Sequence, residues 1–252
     1  MGELSGTPGK TSFSYSNDKL TSFGSKAITY NSNGGVSTYD GWDYTWSKGR
    51  LSTIRTEYGG SARIPSGSLI PLLKNSMTYS FVYNALGQRV TSHFSHFFSA
   101  GTITPVITGE VIEYTKAYSY DHSGRLISES ITEERYGEGI VSSNIVFLYD
   151  ESSMVGFEYT TAAGTNIYYY LRNLQGDVIG IYDSYGNKVV EYAYDAWGNC
   201  TIKSTTTNYT VAHANPIRYR GYYYDEDTKL YYYGQIFVGI NKMVDNWRII
   251  YE

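Results

Sequence analysis

Apolar and polar residues alternate along short stretches of this chain, and reversal signals separate the stretches. Residues 178–182 set Val178, Gly180 and Tyr182 against Ile179 and Ile181. Residues 189–194 alternate in the same way, and residues 166–170 run on to Leu171 as a third such stretch. A period of two puts successive side chains on opposite faces of a pleated strand, one toward a core and one toward solvent. Between the stretches a signal recurs: a large aromatic or apolar residue, Asp or Asn, two variable residues, Gly, a polar residue and an apolar one. The Asp or Asn side chain can bond its own backbone two residues on and start a turn. Glycine three positions later accepts a positive φ and closes a hairpin. The pattern predicts strand, turn, strand, repeated.

The turn pairs are Asn84 with Gly87, Asp121 with Gly124, Asn173 with Gly176, Asp183 with Gly186 and Asp195 with Gly198. Another copy spans residues 30–34, and looser ones span 15–20, 46–51 and 224–230. In the copy at 173 an arginine, Arg172, stands where the others carry an aromatic. One hairpin is marginal in water, but stacked hairpins bury a shared face and hold together. Residues 59–67 are rich in Gly and Ser, and residues 201–210 in Thr, Ser and Asn; both read as loops. The expected fold class is all-β, with repeated antiparallel β-hairpins forming a curved sheet. No composition shift marks a second domain.

Composition sharpens this picture. Of 252 residues, 29 are Tyr and 26 are Gly, which suits half-buried pleated surfaces joined by tight turns. Apolar residues at 41% make a core feasible, and charged residues at 17% argue against disorder. The net charge of −4 is spread without a basic stripe, so no nucleic-acid partner is expected. No apolar run is long enough for a transmembrane helix. Residues 1–10 lack the apolar segment of a signal peptide, so the chain reads as cytosolic or as part of a larger exported protein. The single cysteine, Cys200, excludes an internal disulfide and reads as a half-buried neutral thiol.

Residues 170–183, followed by 186–187 and 190–199, closely resemble the core of RHS/YD-repeat proteins. Residues 215–225 and 230–233 look like the downstream half of that core. The resemblance is strongest over residues 165–233, and weaker repeats extend it upstream to about residue 12. It implies a hairpin-built hollow shell, residues 1–233, with a divergent tail at 234–252. It further implies a secreted or cell-surface protein whose partners are the remaining shell repeats and an enclosed C-terminal toxin domain. The family's downstream Asp-Pro self-cleavage motif is missing, since Tyr233 is followed by residues 234–240 without Asp-Pro. No cleavage activity is carried over. Within the tail, residues 244–250 fit the strand and the helix period equally.

Candidate chemistry is sparse. His93 and His96 share no strand face and lack further ligands, so no metal or other cofactor is expected. His122 lies in a turn copy and His213 in a presumed loop, each without an obvious partner. The acidic triplet 225–227 reads as a solvated turn, as do residues 133–134 and 150–151. Two Asn-x-Thr sequons begin at Asn199 and Asn208. No nucleophile elbow or phosphate loop occurs, and no titratable pair is placed for catalysis, so an enzyme is not expected. The alternative to a shell segment is a module binding cell-wall polysaccharide. Its candidate carbohydrate contacts are Trp42, Tyr44 and Trp46, which share one strand face.

Overall fold

The computed structural model describes residues 12–63, 69–100, 110–135, 139–195, 198–204, 209–233 and 236–239. The first strands are β1 (Phe13–Ser16), β2 (Lys19–Phe23), β3 (Lys26–Tyr30), β4 (Val36–Tyr39), β5 (Trp42–Ser47), β6 (Arg50–Arg63), β7 (Leu69–Tyr83) and β8 (Arg89–Ala100). Then come β9 (Glu110–Tyr120), β10 (Leu126–Arg135), β11 (Gly139–Tyr149), β12 (Met154–Thr161), β13 (Gly164–Arg172), β14 (Val178–Asp183), β15 (Lys188–Tyr194) and β16 (Cys200–Ser204). These sixteen strands pair in chain order, every neighbour antiparallel, in one open curved sheet. Local pairing of this kind closes only short loops and keeps the entropy cost of each step low.

Strict alternation of direction has a geometric consequence. Every turn that follows an odd-numbered strand lies on the same rim of the sheet. That rim carries turns 31–35, 84–88, 121–125, 150–153, 173–177 and 195–199, whereas turn 183–187 lies on the opposite rim.

One face of the sheet carries the core, with Leu51, Ile145, Phe157, Val178, Ile181 and Val190 all at most 2% exposed. A second unit packs on this face. It comprises a short helix, α1 (Tyr209–Ala214), and a separate three-stranded sheet of β17 (Tyr223–Asp225), β18 (Leu230–Tyr233) and β19 (Ile236–Gly239). Its Val211, Ala212, Ile217, Tyr223, Leu230 and Tyr232 join the same buried cluster.

Several expectations need correction. Residues 59–63 continue β6 instead of looping, because Gly59 is taken up in a bulge where pairing jumps from Tyr58–Asn75 to Gly60–Leu72. Residues 64–67 lie outside the described residues. Of the second presumed loop, residues 201–204 belong to β16 and 209–210 open α1, while 205–208 lie outside the described residues. Glu133 and Glu134 pair with Tyr114 and Glu113 inside the β9–β10 ladder and form no turn. The alternation read for 178–182 and 189–194 is broken by bulges. Pairing jumps from Leu171–Gly180 to Arg172–Val178, and from Ile181–Val190 to Tyr182–Lys188. Val178 and Ile181 are therefore both fully buried, as is Val190, with Val189 close behind. In the tail, residues 236–239 form a strand, and residues 244–250 lie outside the described residues.

Candidate functional site

The recurrent turn has one geometry in six copies. In each, the Asp or Asn backbone N–H donates to the carbonyl four residues on, and the glycine N–H donates back to the Asp or Asn carbonyl. The side-chain oxygen of Asn31, Asn84, Asp121, Asn173, Asp183 and Asp195 accepts the N–H of that same fourth residue at 2.8–3.0 Å. The glycines sit at φ between +82° and +88° at positions 34, 87, 124, 176, 186 and 198. This is a tight turn closed by a glycine bulge, and only glycine reaches that φ without strain. The bonds leave a mark on Asp183: the Asn187 side-chain amide and backbone N–H hold its carboxyl below the ordinary range. Asp150 makes a shorter version without glycine, accepting from the N–H groups of Ser152 and Ser153.

The aromatic before six of the turns has its own task. Its polar hydrogen bonds back to the carbonyl of the residue just after the previous turn on the same rim. Tyr30 reaches Leu20, Trp46 reaches Val36 and Tyr83 reaches Leu51. Tyr120 reaches Arg89, Tyr149 reaches Leu126 and Tyr194 reaches Val178. All six bonds measure 2.7–2.8 Å. Each ring thus fills the gap between neighbouring hairpins while its tip locks their spacing.

This series exposes an anomaly. The slot after the turn holds Leu51, Leu126 or Val178 elsewhere, but Arg89 occupies it in the copy at 84. Arg89 is 1% exposed. Its guanidinium lies 4.6 Å from the Tyr118 ring centre, 4.8 Å from Tyr232 and 4.9 Å from Tyr223, with Phe81 at 5.7 Å. Nη1 donates to Asp225 Oδ2 at 2.9 Å. A buried cation is tolerable only when paired and bonded, and the aromatic faces add attraction. Tyr223, Asp225 and Tyr232 all come from the second unit, so the pair joins it to the sheet. Beside it, Lys116 Nζ lies 3.0 Å from Asp227 Oδ2 and 4.0 Å from Glu129 Oε1. Glu129 is 2% exposed and accepts the Tyr223 hydroxyl at 2.9 Å. Burial pushes the Glu129 carboxyl up, more than Lys116 and the Tyr223 hydroxyl pull it down. Burial acts on Asp225 too, but Lys116 and Arg89 outweigh it and hold that carboxyl below the usual range.

The second unit is fastened at further points. The buried Asp177 of turn 173–177 accepts the Arg220 N–H at 2.8 Å. The Tyr192 hydroxyl donates to Ala212 O at 2.6 Å, and Tyr170 donates to the buried Asn215 side chain at 2.9 Å. Glu226 gathers Arg218 at 2.6 Å, Lys229 at 2.9 Å and His213 at 3.2 Å.

The acidic triplet is therefore no solvated turn. Asp225 is buried in β17, and Glu226 and Asp227 hold the contacts just described: Arg89 and Lys116 on distant strands meet Asp225 and Asp227, and Arg218, Lys229 and His213 of the second unit meet Glu226. His213 lies on α1 and has a partner in Glu226. His93 and His96 lie on β8, His93 sharing a hydrogen bond with Thr115 and His96 pushed down by burial. Trp42, Tyr44 and Trp46 share the core-facing side of β5 and pack half-buried against the main cluster. Cys200 is half-buried and its thiol is raised by burial. Sequence reading missed Arg89, Lys116, Glu129, Asp177, Asn215 and Arg218. One signal was available: a cation standing at the apolar slot of a repeat copy.

Comparison with known proteins adds to this. No family model matches the chain. The "tRNA3(Ser)-specific nuclease WapA" of Bacillus spizizenii is 30% identical over 211 residues, which cover 77% of this chain and 9% of that protein. The "tRNA nuclease WapA" of Bacillus subtilis matches to the same extent. The chain thus spans about a tenth of the length of the curated relatives it matches. Among solved structures, the crystal structure of TcdB2-TccC3-TEV aligns with 90% of this chain and 16% of its own, at a TM-score of 0.34 and 14% identity. A porin-like protein from Bacteroides vulgatus aligns with 76% of this chain and 91% of its own, at a TM-score of 0.40 and 11% identity.

Proposed function

This chain is an RHS/YD-repeat protein, and we propose that it serves as a non-catalytic wall segment of a β-shell of the type that encloses or presents a C-terminal toxin in competition between bacteria. The single observation that carries this reading is the repeated lock between a turn and the next tyrosine. It spends the repeat's polar groups on spacing one hairpin from the next and leaves none of them poised for chemistry. The partners would be further shell repeats and an enclosed toxin domain, in a secreted or cell-surface protein. Among the described residues, no helix is long and apolar enough to cross a membrane. The relatives' names describe tRNA nucleases, and on this reading any such activity lies outside the wall segment.

The second reading, a polysaccharide-binding module, rests on Trp42, Tyr44 and Trp46. Their half-buried packing against the core favours a structural task, since a sugar needs an open ring face. One experiment separates the readings. The purified chain, its Trp42→Ala, Trp46→Ala variant and a nuclease control are incubated with total tRNA and with wall polysaccharide. The expected result is intact tRNA and equal, background retention for both forms of the chain. Cleaved tRNA, or retention that the double variant loses, would count against the wall-segment reading.

A further inference from the structure

Three side chains beneath the second unit form a set that the repeat architecture does not require. Lys116 of β9, Glu129 of β10 and Asp227 of the β17–β18 turn converge on the core face. The Lys116 ammonium nitrogen is 3.0 Å from an Asp227 oxygen and 4.0 Å from a Glu129 oxygen. Lys116 and Glu129 are buried, at 8% and 2% exposure, and the Tyr114 ring lies 5.7 Å from Nζ. The Asp227 side chain keeps 30% of its exposure, enough to leave a path outward. Asp225, the other nearby acid, is already held by Arg89.

We propose that Lys116 and Asp227 become joined in a side-chain amide bond, formed within this chain itself, with Glu129 as the proton relay. The chemistry balances without any co-reactant. The reaction starts from the minor state in which one ammonium proton has passed to the Asp227 carboxylate, against the neighbouring acids that hold Lys116 charged. The amine lone pair attacks Cγ, and a second proton leaves nitrogen for Glu129 Oε1. Glu129 then returns that proton to the departing hydroxyl. The Cγ–O bond breaks, one water leaves through the open side of Asp227, and the Nζ–Cγ amide remains with its last proton on nitrogen. Glu129 ends as it began.

Three features favour bond formation over a plain ion pair. Nζ already stands 3.0 Å from an oxygen of the acid it would join, so the two groups are brought together by the fold. Glu129, raised by burial, is a stronger base than an ordinary carboxylate, and its other oxygen is fixed by the Tyr223 hydroxyl. The 4.0 Å gap to Nζ is the kind that tightens as a proton begins to move. The consequence would be mechanical. The bond would weld the second unit to β9 across 111 residues of sequence (227 − 116). Docking through Arg89 and Asp225 would then become permanent. This inference does not depend on the wall-segment reading.

Mass spectrometry of the folded full chain tests it. The expected intact mass is lower than the sequence mass by one water. Trypsin should fail to cut after Lys116, and residues 116 and 227 should travel in one branched peptide. Lys116→Arg, which keeps the charge but forms no such bond, should show the full mass. Glu129→Gln should close at least tenfold more slowly, in keeping with the usual contribution of a positioned proton relay. A folded wild-type chain at full mass overturns the proposal, as does a lost water that maps elsewhere. Closure of Glu129→Gln at the wild-type rate overturns the role given to Glu129.

Discussion

The turn rim and the buried latch solve the same problem, holding one β-hairpin against another structure, by opposite means. On the rim, each contact is local, neutral or exposed, and repeated: an acid or amide caps its own turn, and a tyrosine tip ties it to the preceding hairpin. In the latch, Arg89 and Asp225 meet across 136 residues, both below 5% side-chain exposure, inside a ring of three tyrosines and a phenylalanine. The rim spreads its stabilisation over many small terms, so no single turn decides the fold. The latch concentrates it in one place, so a single substitution there should be felt by the whole second unit. Redundancy suits a wall that can be extended by repetition, and concentration suits a part that must seat in one position.

Substitutions can break this contrast. The largest effect is expected for Arg89→Ala or Asp225→Ala, each of which strands a buried charge. Removing one partner of such a pair costs about 3–5 kcal/mol, read as a fall in the urea midpoint at unchanged slope. The double variant Arg89→Leu, Asp225→Leu should recover most of that loss, since an apolar pair suits the slot as Leu51 and Val178 do in other copies. If both single variants melt like the wild type, the latch is not where stability is concentrated. A smaller loss, about 1–2 kcal/mol, is expected for Gly186→Ala in the same kind of turn on the opposite rim, because alanine is strained at φ +82°. The Gly186 site has open space around it, so the strain should be purely conformational. Smaller again, about 1 kcal/mol, is the expected cost of Tyr194→Phe, which leaves the Val178 carbonyl without its 2.7 Å partner.

The two regions also differ in how far they could be read in advance. The spacing of Asp or Asn and Gly is a local code: the side chain, the turn and the glycine all lie within five residues, so sequence alone carries it. Strand boundaries were less legible. Gly59 and Gly60 resemble loop residues, yet a bulge accommodates them inside β6 because the partner strand continues beyond them. The bulges opposite 171–172 and 181–182 likewise upset the alternation, since they arise from pairing and not from composition. The latch was the least legible. Asp225, Glu226 and Asp227 look like a solvated turn because the cations that meet them, Arg89, Lys116 and Arg218, are scattered along the chain. Only Arg89 leaves a trace, as a charge where the repeat calls for an aliphatic side chain. Long-range charge pairing has no period, and a reading built on periods passes over it.

Acidity offers the finest discrimination between the regions, with the smallest expected effect. Asp183, in the rim turn on the opposite edge of the sheet, and Asp225 in the latch are both held below their ordinary values. Groups lowered by folding add stability that is complete above the ordinary carboxylate range and is lost as pH falls through their folded values. Both regions should therefore weaken in acid. Glu129 has the opposite sign. It faces Lys116 of β9, Arg89 of β8, and Tyr223 and Asp225 of β17, and burial raises it despite the two cations. A raised carboxyl adds stability that is complete below its ordinary range and fades as pH rises through its folded value. The latch alone should thus show a decline on the less acidic side. Glu129→Gln removes that titration while keeping the side-chain shape, so the variant's stability should stay flat where the wild type falls. Melting curves taken at successive pH values, with Asp183→Asn as the rim control, would decide it. A decline that persists unchanged in Glu129→Gln, or that Asp183→Asn abolishes, would assign the pH response to the rim and remove the distinction.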